Sequence, residues 1–501
     1  MSRSPDRPRT PWWYPSSRKL AALFLVLALI GGGAWLGWDR THCAPGIRRL
    51  GPECIGVTDG SFAFPETGAD LTAVMEKIHE ENRRVEQTGE PYVSVAYLVP
   101  LPREAEGLSE VLRRELQGAH LAQRLANRTD ELGDLPLIRL LVANAGEDNN
   151  HWRPVVAQLL GLIGSDRLVA VAGLGQSRDT TFQAIRELTA AQIPAIASNL
   201  TADDDLSRIN GLVRVTPANT DQVKAAVVYL KRDPAISRAL LIQDSNAADP
   251  FARTLGDAFR REFPDATHSL LGPVEEYDGS LSAVADRFTQ MMASICRQEP
   301  DIVFFAGRGA DLEAFIEVLP RRPCPDFHVN VMTGDSAGNL STEETRPGLE
   351  FNVTLRYTAH AHPDAWAAAP QLFSPAPIRY FTQDCVDPNG NCLTSLFPNE
   401  LLDVESVIMG HDTIVTAVKA IRPPDQENVT IDPIALGEVI QRFGGLHDEF
   451  AVPGASGWIS LDSSGIPVDK AIPILELLPD GSKKFVELSS PSPSETPFTP
   501  P

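Results

Sequence analysis

The stretch VAGLGQSRDTTFQAIREL (171–188) sets small and polar residues where an apolar run gives way to an amphipathic helix. Ser177, Arg178 and Thr180 fall at that helix's N-terminus, where free backbone N–H groups and the helix dipole favour an anionic group. Gly173 and Gly175 let the chain turn tightly before it. A dinucleotide phosphate needs more than this. Its fingerprint asks for a third glycine where this chain has Arg178, and the ribose-binding acid has no clear counterpart after the next strand. A purely local reading also stands, with Ser177 and Asp179 capping the helix.

A second group with chemical potential is Gly334-Asp335-Ser336-Ala337-Gly338, which fits G-x-S-x-G behind the strand-like VNVMT. The GDSAG form resembles the hormone-sensitive-lipase-like esterases. The helix that should follow meets Pro347 and Gly348 quickly, and no HGGG-type oxyanion loop lies upstream. His411 and His447 are available bases without an acid partner in the expected order. A serine esterase is therefore the lower alternative. His360 and His362, with Asp364 in YTAHAHPD, are too few ligands for a metal and read as solvated loop residues. No metal or cofactor is expected.

Composition narrows the partners. The formal charge of −22 argues against nucleic acid, which needs clustered Lys and Arg, and suits a soluble acidic surface. The first residues are basic, with Arg3, Arg7, Arg9, Arg18 and Lys19 against Asp6. Leu20 to Trp38 then carries no charge, and at ~1.5 Å per residue it just crosses a bilayer core of ~30 Å. The expectation is a single-pass anchor in the cell membrane, N-terminus cytoplasmic and everything from Asp39 outside. The rival is a cleaved signal peptide, with Gly32 and Ala34 near its end. All six cysteines lie beyond this run, and proximity pairs Cys43 with Cys54, Cys296 with Cys324 and Cys385 with Cys392.

The elements that must position these groups alternate. YVSVAYLVPL, LPLIRLLVANAG, RLVAVAGLG and IPAIAS are strand runs separated by helical stretches, and ALLIQDS, DIVFFAGRG and HVNVMTGD repeat the pattern after GLVRVTP. Such alternation predicts an α/β chain with two doubly wound, Rossmann-like lobes. A helix near 68–87 is expected as a stalk, LLDVESVIMGHDTIVTAVKAI as a long late helix, and GASGWISLDSSGIP with AIPILELLP as a closing hairpin. The segment 483–501, rich in Pro and Ser towards its end, reads as a disordered tail.

In order, RLVAVAGLGQSRDTTFQAIRELTAAQIPAIAS, LVRVTPANTDQVKAAVVYL, ALLIQDSNAADPFARTLGDAF, DIVFFAGRGADLEAFIEVL, VNVMTGDSAG, GHDTIVTAVKAI and GASGWISLDSSGIPV resemble the type 1 periplasmic binding proteins, specifically the branched-chain amino-acid receptors. The likeness runs from about Tyr92 to Leu478. It implies two lobes joined by three crossovers: lobe one from 91–216 and 356–450, lobe two from 217–355 with a hairpin at 451–482. It further implies that the Ser177 loop receives a ligand carboxylate and that Asn199 and Thr201 reach the ligand's backbone groups, with capping of the next helix as the alternative. Asp335 matches an acid suited to an ammonium group. Asp249 replaces a Tyr-Gly pair, which casts doubt on simple branched-chain ligands, and Arg308 follows a strand end where it faces either the cleft or solvent. The implied activity is binding of a small amino-acid-like or carboxylate solute. The implied partner is an ABC permease, or a membrane sensor given the Tyr357–Glu400 insertion.

Overall fold

The computed structural model describes residues 22–25, 41–65, 70–102, 106–203, 209–340, 342–398, 405–422, 436–491 and 497–500. The run Leu20–Trp38 lies outside these except for one helical turn at Ala22–Leu25, and among the described residues no helix is long and apolar enough to cross a membrane.

Lobe one begins with an antiparallel meander of β1 (His42–Ala44), β2 (Ile47–Leu50) and β3 (Glu53–Thr58), stapled by Cys43–Cys54. Helix α1 (Thr72–Thr88) follows, and it is no stalk. Val74, Met75, Ile78 and Val85 lie buried along one face, and α1 packs on the lobe-one sheet. Their i, i+1, i+4 spacing makes an apolar stripe that must be covered, which overrides the stalk reading of this helix. β4 (Tyr92–Val99), α2 (Glu106–Arg128), β5 (Leu137–Asn144), α3 (Trp152–Ser165), β6 (Leu168–Gly173), α4 (Asp179–Ala190), β7 (Ala195–Ala197) and β8 (Leu212–Arg214) complete the first pass. The sheet order is β1-β2-β3-β5-β4-β6-β7-β8, parallel from β5 to β8. Strands buried on both faces are largely apolar for that reason: β6 is a continuous apolar run, and β5 is broken only by Arg139 and Asn144.

Lobe two follows with α5 (Asn219–Lys231), β9 (Arg238–Asp244), α6 (Pro250–Glu262), β10 (Ser269–Leu270), β11 (Glu275–Tyr277), α7 (Val284–Gln298), β12 (Ile302–Ala306), α8 (Gly309–Val318), β13 (Val329–Thr333), α9 (Thr342–Leu349) and β14 (Val353–Thr358). Its sheet runs β10-β9-β12-β13-β14-β17-β18, with β11 also on β9. Cys296–Cys324 ties the end of α7 to the turn after α8.

The chain then returns. Three short helices, α10 (Pro363–Ala368), α11 (Pro375–Ile378) and α12 (Leu393–Leu396), form the insertion, braced by Cys385–Cys392. Tyr380, Phe381, Leu393 and Phe397 join the lobe-one core, while Ala365 and Phe373 cluster with Phe485 and Leu488 on the lobe-two side. The insertion thus touches both lobes. Helix α13 (Glu405–Ile421) packs along α2. The two backbones nearly touch: a Cβ on Gly118 would stand 1.8 Å from the Val407 carbonyl oxygen, and one on Gly410 2.0 Å from that of Glu115.

After α14 (Leu436–Phe443), β15 (Val452–Gly454) and β16 (Gly457–Ile459) form their own hairpin, and Val452 and Ile459 lie in the lobe-one core. β17 (Ile472–Leu477) instead pairs with β14 and with β18 (Lys483–Ser489) at the edge of the lobe-two sheet. Two readings change here. GASGWIS and AIPILELL do not pair with each other, because the first needs only a tight turn to close on itself. The segment from 483 is strand before it becomes tail, since the free edge of β17 supplies a partner. Beyond it, the Phe498 N–H still bonds the Asp469 carbonyl.

Candidate functional site

Each parallel core has strand order 2-1-3-4-5, so neighbouring strands β4 and β6, and again β9 and β12, send their connections to opposite faces. A crevice opens at the carboxyl ends of such a pair. The loops after β6 in lobe one and after β9 and β12 in lobe two lie at these points, and they meet.

On lobe one, Gly173, Leu174 and Gly175 all take positive φ (84°, 76° and 78°), curling the chain inward. A Cβ on Gly173 would strike the Tyr97 ring at 2.5 Å, so glycine is required there. Ser177 is buried, and its Oγ accepts from the N–H groups of Thr201 (3.0 Å) and Ala202 (3.1 Å). It therefore welds the 174–178 loop to the 199–202 loop and does not cap α4, whose N-cap Arg178 makes no side-chain cap bond. Arg178 Nε lies 3.0 Å from Asp148 Oδ1, and the Thr180 hydroxyl donates to the Asp148 carbonyl. Both are thus held within lobe one. Thr201 uses its main chain: its N–H goes to Ser177 and its carbonyl receives the Asn219 N–H at 2.7 Å.

Beneath that loop, the buried Arg214 guanidinium donates to the carbonyls of Leu200 (3.3 Å) and Ala202 (2.8 Å). Arg214→Met leaves both oxygens without this donor. We expect a loss of about 2 kcal/mol in urea unfolding. A change under ~0.5 kcal/mol, within the range of neutral surface substitutions, would show the loop to be self-supporting.

On lobe two, Asp249 caps α6 by accepting the Ala252 N–H (3.1 Å). Its carboxylate also takes Arg308 in a two-point contact, Nε to Oδ2 at 2.6 Å and Nη2 to Oδ1 at 2.9 Å. Burial pushes the Asp249 carboxyl up, but the Arg308 charge and hydrogen bonds more than reverse this and hold it below the usual range. Arg308 lies over the Phe251 ring, 4.7 Å from its centroid. It then crosses the cleft: Nη2 donates to the Ser177 carbonyl at 2.6 Å and Nη1 to Gln176 Oε1 at 3.3 Å. Arg308 is a bridge between lobes, and the solvated reading of it is set aside.

A second meeting point surrounds a small cavity of about 20 Å³, room for one or two waters, lined by Glu115, Asn199, Asp335, His360 and Glu405 among others. His360 Nε2 lies 3.1 Å from Asp335 Oδ2 and 3.3 Å from Asn199 Oδ1, and its main-chain N–H donates to Glu405 Oε1 at 2.6 Å. The Tyr97 hydroxyl donates to Glu115 Oε2 at 2.8 Å. Burial pushes the Glu115 carboxyl up to about 7 and raises Glu405 as well. Burial pulls His360 down, yet the Asp335 bond and charge raise it overall. His360 and His362, expected in solvent, are both buried, because the crossover that carries them is enclosed by both lobes. Among the described residues no cluster of His, Cys, Asp and Glu could hold a metal ion.

No protein-family model matches the chain, and no curated protein matches it in sequence. Solved structures do. A leucine-binding protein from Thermotoga maritima superposes with a TM-score of 0.59 at 16% identity, covering 80% of this chain and 99% of its own. A branched-chain amino-acid transporter substrate-binding protein from Streptococcus pneumoniae, in complex with isoleucine, gives 0.57 at 15% identity over 80% and 99%. A solute-binding protein of an ABC transporter from R. palustris, in complex with benzoate, gives 0.56 at 15% over 81% and 99%. The chain has the type 1 periplasmic binding-protein fold. These neighbours are binding proteins rather than enzymes.

Within the type 1 binding-protein fold, the predicted residues fall into three groups. Ser177, Asp249 and Arg308 form one contact network, to which Thr201 is attached through its backbone. Asn199 and Asp335 join through His360. Arg178 and Thr180 turn to Asp148. Sequence reasoning missed Gln176, Glu115 and Glu405, and it placed His360 in solvent. Glu115 sits in a charge-rich amphipathic helix, where nothing distinguishes it from a solvated acid. The GDSAG serine lacks the arrangement an esterase needs: Ser336 Oγ donates to the Gly307 carbonyl (3.2 Å) from a 3-10 turn at Asp335–Asn339. His411 is buried against Asp412 and His447 pairs with the exposed Asp448.

Proposed function

We propose that the chain is an extracytoplasmic solute-binding receptor, tethered by its N-terminal apolar run, that closes two lobes on a small polar, amino-acid-like or carboxylate ligand for ABC-type uptake. One observation carries this reading above the others. The crevices of both sheets face each other, and a single side chain, Arg308, spans them to the Ser177 carbonyl. Polar groups that meet across a hinge are the groups a solute would engage, and its binding energy would bias an open–closed equilibrium. The neighbours that bind leucine, isoleucine and benzoate support the choice of solute size and charge. A second reading, signalling to another membrane protein without transport, is favoured by the insertion, whose contacts with both lobes make its surface sensitive to closure.

The test is thermal unfolding of the purified full-length protein against amino acids and aliphatic and aromatic carboxylates. A solute at a hundred times its Kd adds ~2.7 kcal/mol to stability, a plain upward shift in Tm. Stabilisation by none of them would count against a receptor and for a structural lobe pair.

A further inference from the structure

We propose that Arg308 is the receptor for the solute's carboxylate and that Asp249 is its resident competitor, displaced when the solute binds. This rests on the receptor reading above and narrows it from a small polar solute to one whose carboxylate exchanges with a side chain of the protein.

The guanidinium is built as a site. It stands at the carboxyl end of β12, on the lobe-two switch point, with its side chain 13% exposed and that of Asp249 4% exposed. Of its five N–H donors, two hold the Asp249 carboxylate in the parallel fork that an external carboxylate would use, and two reach Gln176 and Ser177 on the other lobe. Asp249 thus marks the pose that a solute carboxylate would take on this guanidinium. The Phe251 ring holds the cation flat by a contact that does not depend on Asp249. Arg178, on the opposite lobe, adds positive potential near enough that Arg308 depresses its own ionisation, after the larger effect of burial.

Charge decides the order of events. A carboxylate entering while Asp249 remains paired would meet Asp249, Asp148 and Asp311 with only two guanidinium groups to balance them. Leaving Arg308 bare would bury an unpaired cation, which is costly. Exchange avoids both, because one forked pair replaces another and Asp249 still has the Ala252 N–H to hold. The competitor then weakens every carboxylate by the strength of the pair it must break, and it leaves neutral solutes unaffected.

The experiment uses isosteric probes, benzoate against benzamide and phenylacetate against phenylacetamide, titrated calorimetrically into the full-length protein. Asp249→Asn keeps a good helix cap and removes only the competing charge. It should tighten benzoate or phenylacetate at least tenfold with little change for the amide partner. Arg308→Gln should abolish the preference for the acid. If Asp249→Asn weakens the acids, or if an acid probe binds Arg308→Gln as tightly as the parent, the exchange is wrong while the receptor stands. If no probe, acid or amide, binds any of the three proteins, both readings fall. Melting curves of the variants, compared with the parent, exclude a folding defect as the cause.

Discussion

Asp412→Ala is expected to lower the free energy of unfolding by about 3–5 kcal/mol, the range for removing one partner of a buried charged cluster. Asp412 has no exposed surface and serves four donors. The N–H groups of Ala455 (2.9 Å) and Ser456 (2.8 Å), the Ser456 hydroxyl and His411 Nδ1 (2.8 Å) all converge on it. Burial pushes this carboxyl up, but His411, Lys470 and Ser456 together hold it below the usual range. Lys470, equally buried and pulled down to about 8 by desolvation, donates to the Val215 carbonyl (2.9 Å) and to Ser456 Oγ (2.7 Å). The carboxylate therefore anchors the β15–β16 turn to α13 and, through Ser456 and Lys470, the first crossover to the third. Alanine strands two backbone donors and a buried ammonium at once. Denaturant unfolding reads the loss directly; a value below about 1 kcal/mol would mean that water replaces the carboxylate cheaply.

The second large effect has the opposite sign. Glu115 ionises near 7 when folded and near 4.5 when unexceptional, with burial as the main cause. Between these values the folded chain holds a proton that the unfolded chain has released, so stability falls as pH rises from about 4.5 to 7. Above 7 the whole penalty, about 3 kcal/mol, is present. Glu115→Gln imitates the protonated acid and still accepts from Tyr97. Its advantage over the parent should be near zero at pH 4, grow through pH 5–7, and level off near 3 kcal/mol at pH 8. A pH-independent difference in Tm would place the proton elsewhere in the cluster.

What was legible in the sequence follows from range. β4, β6, β9 and β12 are local apolar runs bounded by turn residues, and six cysteines in three neighbouring pairs find each other as proximity suggests. The loop at Ser177 lies on the crevice, but the bonds of its hydroxyl were not legible. Two backbone N–H groups more than twenty residues away claim its hydroxyl, and no local pattern announces such a claim. Arg308 is similar. The strand end before it is visible, whereas the carbonyl it bonds lies 131 residues earlier in the other lobe. Glu115 and Glu405 were hidden because the first is buried, and the second half-buried, only where α2, α13 and lobe two come together. The stalk reading failed because amphipathicity says that a helix must be covered without saying by what.

The late return of α13 has a consequence for the birth of the molecule. The end of α2 and the start of α13 are separated by about 280 residues of chain. At ~5–20 residues per second on the ribosome, roughly 15–60 s pass between the appearance of one and the other. Throughout that interval Gly118 and its neighbours have no partner helix, and lobe one exists as a half-covered sheet. The parallel strands β9 to β14 meanwhile emerge without interruption and can pair as they appear. The parallel core of lobe two, second in the gene, is thus paired first, with only its edge strands β17 and β18 still to come, and lobe one waits with an adhesive apolar flank for its own distant helix. A holding chaperone that recognises that flank would matter most while residues 130–405 are being made.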